Sequence, residues 1–192
     1  MKAKKSLARE YIEAIIIALL LALFIRSFVV QAFRIPSGSM IPTLLVGDQI
    51  LVDKLTFKFR KPERGEIIVF QYPKDVTRDF IKRIIGLPGD KLEVRDRKVF
   101  INGQPLDDAY AYHEAFESSH SEPRDEFGPI IVPQGQYFMM GDNRENSQDS
   151  RFWGPLEEDK IIGRAFIIYW SRNTEKFFPL EIRFERLGHL LD

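Results

Sequence analysis

The 192-residue chain has no cysteine. This excludes thiol nucleophiles, disulfides and cysteine-based metal sites, and it leaves either redox compartment open. Histidine is scarce as well: His113, His120 and His189 show no metal-ligand spacing and read as solvent-exposed side chains. Neither sign of charge is in excess, because 28 Lys and Arg balance 28 Asp and Glu. A chain without a net field has no means of collecting nucleic acid or acidic polymers. Internal repeats and low-complexity tracts are missing too. The length allows one well-buried domain plus an anchor, and is too short for two full-sized globular domains.

The long hydrophobic run that is present lies at the N-terminus. Lys2, Lys4, Lys5 and Arg9 precede Ala14 to Ile25, and the run continues through Arg26 and Ser27 into Phe28-Val29-Val30. As a helix, Ala14 to Val30 covers roughly 25 Å, near the lower limit for a hydrocarbon core. The expected organisation is a basic cytoplasmic N-terminus over 1–10, a transmembrane anchor over 11–30 and an extracytoplasmic domain over 31–192. A cleavable secretory signal ending near Val30-Gln31-Ala32 is one alternative. A buried core helix is another, although such a helix should carry a polar face and this one has none.

From Gln31 onward, short β-type runs alternate with Gly, Pro, Asp and Asn, which predicts a mainly antiparallel β-barrel or sandwich. Expected strands are Gln49–Val52, Glu66–Tyr72, Asp79–Ile85, Lys91–Arg95, Lys98–Ile101, Tyr137–Met140 and Lys160–Tyr169, with a hairpin turn at Asn102-Gly103. The polar stretch 105–128 reads as an inserted loop or ribbon without assigned chemistry. Phe177–Leu190 suits a last strand or a short amphipathic helix. Phe33, Phe57 and Phe59 are candidates for the core or for contact with lipid.

Three segments can carry chemistry. Ile35 to Leu44 has prolines near both ends and Ser37-Gly38-Ser39 between them, so it forms a rigid turned loop able to present a hydroxyl. Lys82 alternates onto one face with Phe80 and Ile84, an apolar setting that lowers an ammonium pKa and lets the neutral amine accept a serine proton. Met140 to Gly154 packs polar and charged residues behind the apolar Tyr137-Phe138-Met139, where Asp and Arg can brace a loop and Ser147 can hold an amine. Taken singly, these segments are equally a plain loop, a lysine snorkelling past an apolar edge and a solvated turn.

In this order after an apolar helix, the segments Pro36–Leu44, Gly47–Lys54, Lys82–Asp90 and Gly141–Gly154 resemble bacterial type I signal peptidases. The resemblance implies a mostly antiparallel β domain beside a membrane and a serine protease with a Ser-Lys dyad. Ser39 would be the nucleophile and Lys82 the general base. Ser37 would assist the Ser39 backbone N–H in holding the oxyanion, and Ser147 would orient the lysine amine. Arg83, Asp142, Asp149 and Arg151 would brace the site, while Met40, Phe80 and Ile84 would contact substrate. A lysine at the base position points to the bacterial branch. Many relatives carry two membrane spans, whereas this sequence has room for one.

Partners implied are signal peptides of exported preproteins, cut after small residues of Ala-x-Ala type, and the lipid bilayer of the cell membrane. No metal, organic cofactor or nucleic acid is expected. Competing readings are a Ser-Lys protease with a narrower task and a membrane-tethered binding module that has lost catalysis.

Overall fold

The computed structural model describes residues 7–113, 125–174 and 181–191. Its elements are helices α1 (Leu7–Phe28), α2 (Thr56–Phe59) and α3 (Ser150–Trp153), and strands β1 (Val30–Arg34), β2 (Asp48–Asp53), β3 (Ile67–Tyr72), β4 (Asp75–Gly86), β5 (Lys91–Arg95), β6 (Lys98–Ile101), β7 (Gln104–Pro105), β8 (Phe127–Ile131), β9 (Gln136–Met140), β10 (Leu156–Glu157), β11 (Ile161–Ser171) and β12 (His189–Leu190).

Helix α1 starts and stops earlier than the expected 11–30, because Val30 already pairs with Asp53 as the first residue of β1. Its 22 residues make it long and apolar enough to cross a membrane, and none of its side chains is buried in the protein. Lys54 donates from Nζ to the Ser27 carbonyl at 2.8 Å, a cation on the carbonyl end of the helix that fastens it to the end of β2.

The strands form two antiparallel sheets. The larger has the order β1-β2-β11-β3-β4-β9-β10, with β12 also on β11, and the smaller has the order β7-β6-β5-β8. No ladder joins β1 to β10 among the described residues, so the expected barrel is not closed; β10 offers only Leu156 and Glu157, too short a ladder to do it. Strand β3 shows why its sequence IIVFQY is apolar without alternation. Ile67 and Val69 enter a core that includes Met40, Leu44, Ile50 and Val52, while Ile68 and Phe70 enter a second core with Ile84, Tyr137 and Met139. A third core, around Leu92, Val94, Val99 and Phe138, joins the small sheet to the large one.

The Asn102-Gly103 turn has positive φ at both residues, 53° and 81°, as a tight hairpin between β6 and β7 requires. Only the flanks of the 105–128 stretch are described: Pro105 ends β7, and Phe127 and Gly128 open β8. Its residues 114–124, with His120, lie outside the described residues, as do 175–180 of the C-terminal segment. The rest of that segment forms a 3-10 turn at Phe184–Arg186 and the short β12. Phe33 and Phe57 pack partly against the cores, whereas Phe59 is 85% exposed.

Candidate active site

Ser39 lies in the loop between β1 and β2. Backbone bonds from Ile35 N to Asp48 O and from Gly47 N to Ile35 O close the base of the loop, at 2.9 and 3.0 Å. Met40 and Leu44 are buried in the core beneath it, so the residue after Ser39 acts as a plug. The buried carboxylate of Asp48 accepts from Leu45 N, Ser171 Oγ and the Arg186 guanidinium, and Arg186 also donates to Thr43 O at 2.8 Å. The hydroxyl of Ser39 is thus carried on a loop whose backbone has little freedom.

Lys82 reaches this loop from β4. Its Nζ lies 2.8 Å from Ser39 Oγ and 2.8 Å from the Ile81 carbonyl. The side chain is only 4% exposed. Burial lowers its pKa from 10.5 to about 8, against the opposing pull of the Asp149 and Asp142 charges. Near pH 8 a large share of the amine is neutral, and a neutral amine touching a serine hydroxyl can accept its proton.

Alternation along β4 turns Arg83 to the opposite face, where it meets Asp142 through Nε on Oδ1 at 2.9 Å and NH2 on Oδ2 at 2.8 Å. Thr43 donates its hydroxyl to the same carboxylate at 2.6 Å, tying the serine loop to this pair. A second fork joins Arg151 to Asp149 at 2.9 and 2.8 Å. Burial alone would push the Asp149 carboxyl up, yet the Arg151 guanidinium, with its bonds to the carboxylate, holds it below its usual value. Asn143 N donates to the Ser39 carbonyl at 3.2 Å, so the braced loop touches the backbone of Ser39 itself.

The structure therefore brings Ser39, Lys82, Arg83, Asp142, Asp149 and Arg151 into one buried constellation. Ser37 is exposed and lines a cleft of about 530 Å³ with Pro36, Ser39, Phe80, Ile81 and Lys82. Phe80 thus lines the same cleft as Ser39 and Lys82. Met40 and Ile84 do not: both are 0% exposed and belong to the core, because one anchors the serine loop and the other pairs with Met139 of β9. Ser147 Oγ is buried without a well-formed hydrogen bond; it lies near enough to Asp149 to help hold that charge, and no bond to Lys82 is formed.

Several residues of the constellation carry no signal in the sequence. A β-carbon at Gly141 would meet Ser147 Oγ at 2.3 Å and Ser39 O at 2.4 Å, so the approach of the two loops requires glycine there. The start of the inserted stretch also contributes. Tyr112 exchanges backbone bonds with Asp142 O and Arg144 N, Asp108 pairs with Arg144 at 2.7 Å, and the Tyr110 ring lies 4.0 Å under the Arg83 guanidinium. Residues 107–112, Asp-Asp-Ala-Tyr-Ala-Tyr, carry no local pattern that would have assigned them to the site. Among the described residues, no cluster of three or more His, Asp or Glu side chains is disposed to hold a metal ion.

Known proteins of similar sequence span most of the chain. A signal peptidase I from Leptolyngbya laminosa is 43% identical over 171 residues, covering 85% of this chain and 80% of that protein. A probable signal peptidase I-2 from Synechocystis is 43% identical over 164 residues, covering 82% and 71%. The signal peptidase I of Aquifex aeolicus is 38% identical over 226 residues, covering 90% and 88%. A crystal structure of a signal peptidase I from Enterococcus faecalis aligns with 55% of this chain and 97% of its own at 33% identity and a TM-score of 0.44. The family model for signal peptidase, peptidase S26, matches residues 8–170. Extending over most of the chain, that match makes the protein a member of the signal peptidase family, peptidase S26.

Proposed function

We propose that this signal peptidase is a membrane-anchored serine endopeptidase in which Ser39 attacks and Lys82 moves the proton. The observation that carries the reading is the 2.8 Å contact between Ser39 Oγ and a buried Lys82 Nζ whose pKa lies near 8. Ser39 Oγ adds to the scissile carbonyl as its proton passes to Nζ. The oxyanion that forms is held by the Ser39 backbone N–H and the Ser37 hydroxyl. Protonated Lys82 then donates to the leaving amine, which frees the mature protein and leaves the signal peptide as an ester on Ser39. Water, deprotonated by Lys82, hydrolyses that ester. Asp142 and Asp149, neutralised by their arginines, hold the loops in register, and Ser147 helps to hold the Asp149 charge.

An extended substrate is accommodated by strand addition. Strand β9 accompanies β4 only over Arg83–Gly86, so the cleft-lining residues Arg78–Lys82 have an unoccupied ladder edge on that side among the described residues. In this reading the side chains at the first and third positions before the cut are small, as in alanine. Helix α1 anchors the chain, and Lys2, Lys4, Lys5 and Arg9 keep its N-terminus cytoplasmic, which puts the β domain on the extracytoplasmic face of the cell membrane.

The test is cleavage of a preprotein bearing an Ala-x-Ala site, in one detergent, by the full chain and by Ser39→Ala and Lys82→Met. Cutting after the second alanine by the unaltered chain alone is the expected result. If Lys82→Met still cuts while Ser39→Ala does not, the base lies elsewhere.

A further inference from the structure

Strand β4 carries a cation that the proposed mechanism does not use. Arg78, Phe80 and Lys82 share one face of the strand, and the Phe80 ring is approached by both charged heads: Lys82 Nζ is 5.5 Å from its centroid and Arg78 Cζ 5.3 Å. Tyr72 stacks on Phe80 at 4.3 Å with 8° between the planes, and Arg78 Cζ is 5.9 Å from its centroid as well. Two rings thus give the guanidinium a preferred location without engaging its N–H donors. Among the described residues Arg78 has no hydrogen bond or ion pair; Asp75 feels its charge only weakly, after the bonds it accepts from Thr77.

Arg78 lines the Ser39–Lys82 cleft together with Asn146 and Gln148. These two residues are exposed and alternate with the buried Ser147 and Asp149, so both face the same space. Asp79 alternates to the other face of β4 and also lines the groove that leads back towards Ser27 and Phe28 at the end of α1. The cleft is therefore polarised, with an unpaired cation on one side of the strand and a carboxylate on the other.

We propose that Arg78 is a specificity-determining residue whose guanidinium receives a carboxylate side chain of the substrate, within about three residues of the cut because Phe80 touches both cationic heads. The inference rests on the reading of Ser39 and Lys82 as the reacting pair. A forked guanidinium already steadied by stacking loses little freedom on meeting a carboxylate, which is why Arg rather than Lys suits the position.

The test scans glutamate and lysine, one position at a time, through four residues on each side of the cut in an otherwise neutral Ala-x-Ala preprotein peptide. The quantity read is the ratio of kcat/KM for the glutamate and lysine peptides, measured for the full chain, Arg78→Gln and Arg78→Glu. For the unaltered chain a ratio of about five or more is expected at one position, shrinking as salt is raised. Arg78→Gln should bring that ratio close to one and Arg78→Glu should invert it, at that position alone. Each ratio is internal to one enzyme, so partial misfolding cannot imitate the inversion. A ratio near one at every position, an equal ratio in all three enzymes, or loss of cleavage of all peptides alike in both variants would overturn the assignment of Arg78. An unaltered chain that cuts no peptide would overturn the peptidase reading itself and the assignment with it.

Discussion

The Arg83 guanidinium and the Asp142 carboxylate face each other through two parallel bonds, one residue along β4 from Lys82, with their side chains 3% and 1% exposed. Breaking such a buried pair leaves a charge without a partner, at a cost of about 3 to 5 kcal/mol. Asp142→Ala is therefore expected to lower the unfolding temperature sharply. Asp142→Asn, which keeps the shape and removes the charge, also removes a negative neighbour that raises the Lys82 pKa. In whatever fraction of Asp142→Asn remains folded, the acidic limb of the pH–rate profile should move to lower pH.

The rate itself should follow Lys82. With a pKa of about 8, kcat/KM rises with pH below that value, by about tenfold per unit well below it, and levels off above. A profile that stays flat down to acidic pH would count against Lys82 as the base.

The same shift has a consequence for stability. A lysine whose folded pKa is depressed binds its proton more weakly in the folded chain than in the unfolded one, so folding is penalised fully below about pH 8 and the penalty fades as pH rises towards 10.5. Lys82→Met removes a penalty on the order of 3 kcal/mol. The Lys82→Met chain should melt at a higher temperature than the unaltered chain at pH 7, and the gap should narrow above pH 8.

Gly141→Ala probes the contact between loops. The added methyl would lie 2.4 Å from the Ser39 carbonyl and 2.3 Å from Ser147 Oγ, so one loop must retreat. A displacement of about 1 Å at the nucleophile can cost about a hundredfold in rate. Measured kcat should fall by about that factor, with a smaller change in KM, because the cleft walls at Phe80 and Ile81 are untouched.

Ser37→Ala addresses the oxyanion. Removing one donor of this kind costs about a hundredfold to a thousandfold in kcat. Since Ser37 is exposed at the cleft, its unfolding temperature should change little. A rate unaffected by the substitution would leave the Ser39 backbone N–H without that helper.

Most strands were legible because their cause is local. Lys91–Arg95 and Lys98–Ile101 follow from the alternation of apolar residues, and Asn102-Gly103 from its tolerance of positive φ. The end of the N-terminal helix was not legible: Phe28-Val29-Val30 is as apolar as the helix before it, and only pairing of Val30 with Asp53 turns the chain into β1. The burial of Met40 and Ile84, read as substrate contacts in the sequence, was not legible for a related reason. Apolar side chains beside a nucleophile or a base look alike whether they face the cleft or the core, and the three-dimensional packing chose the core for both.

By itself, the sequence determined the chemistry available to the protein: no thiol, an apolar N-terminal helix, a stiff loop bearing Ser39 and a lysine on an apolar strand face. Those are properties of residue type and near-neighbour spacing, which the chain carries before it folds. The tertiary structure decided which groups meet. Ser39 and Lys82, Arg83 and Asp142, Tyr110 and Arg83 lie far apart along the chain. Their distances come from sheet order and from the loop approach that Gly141 permits. The lowered pKa of Lys82 is likewise a property of the fold, since desolvation exists only once the surrounding residues have closed over the amine.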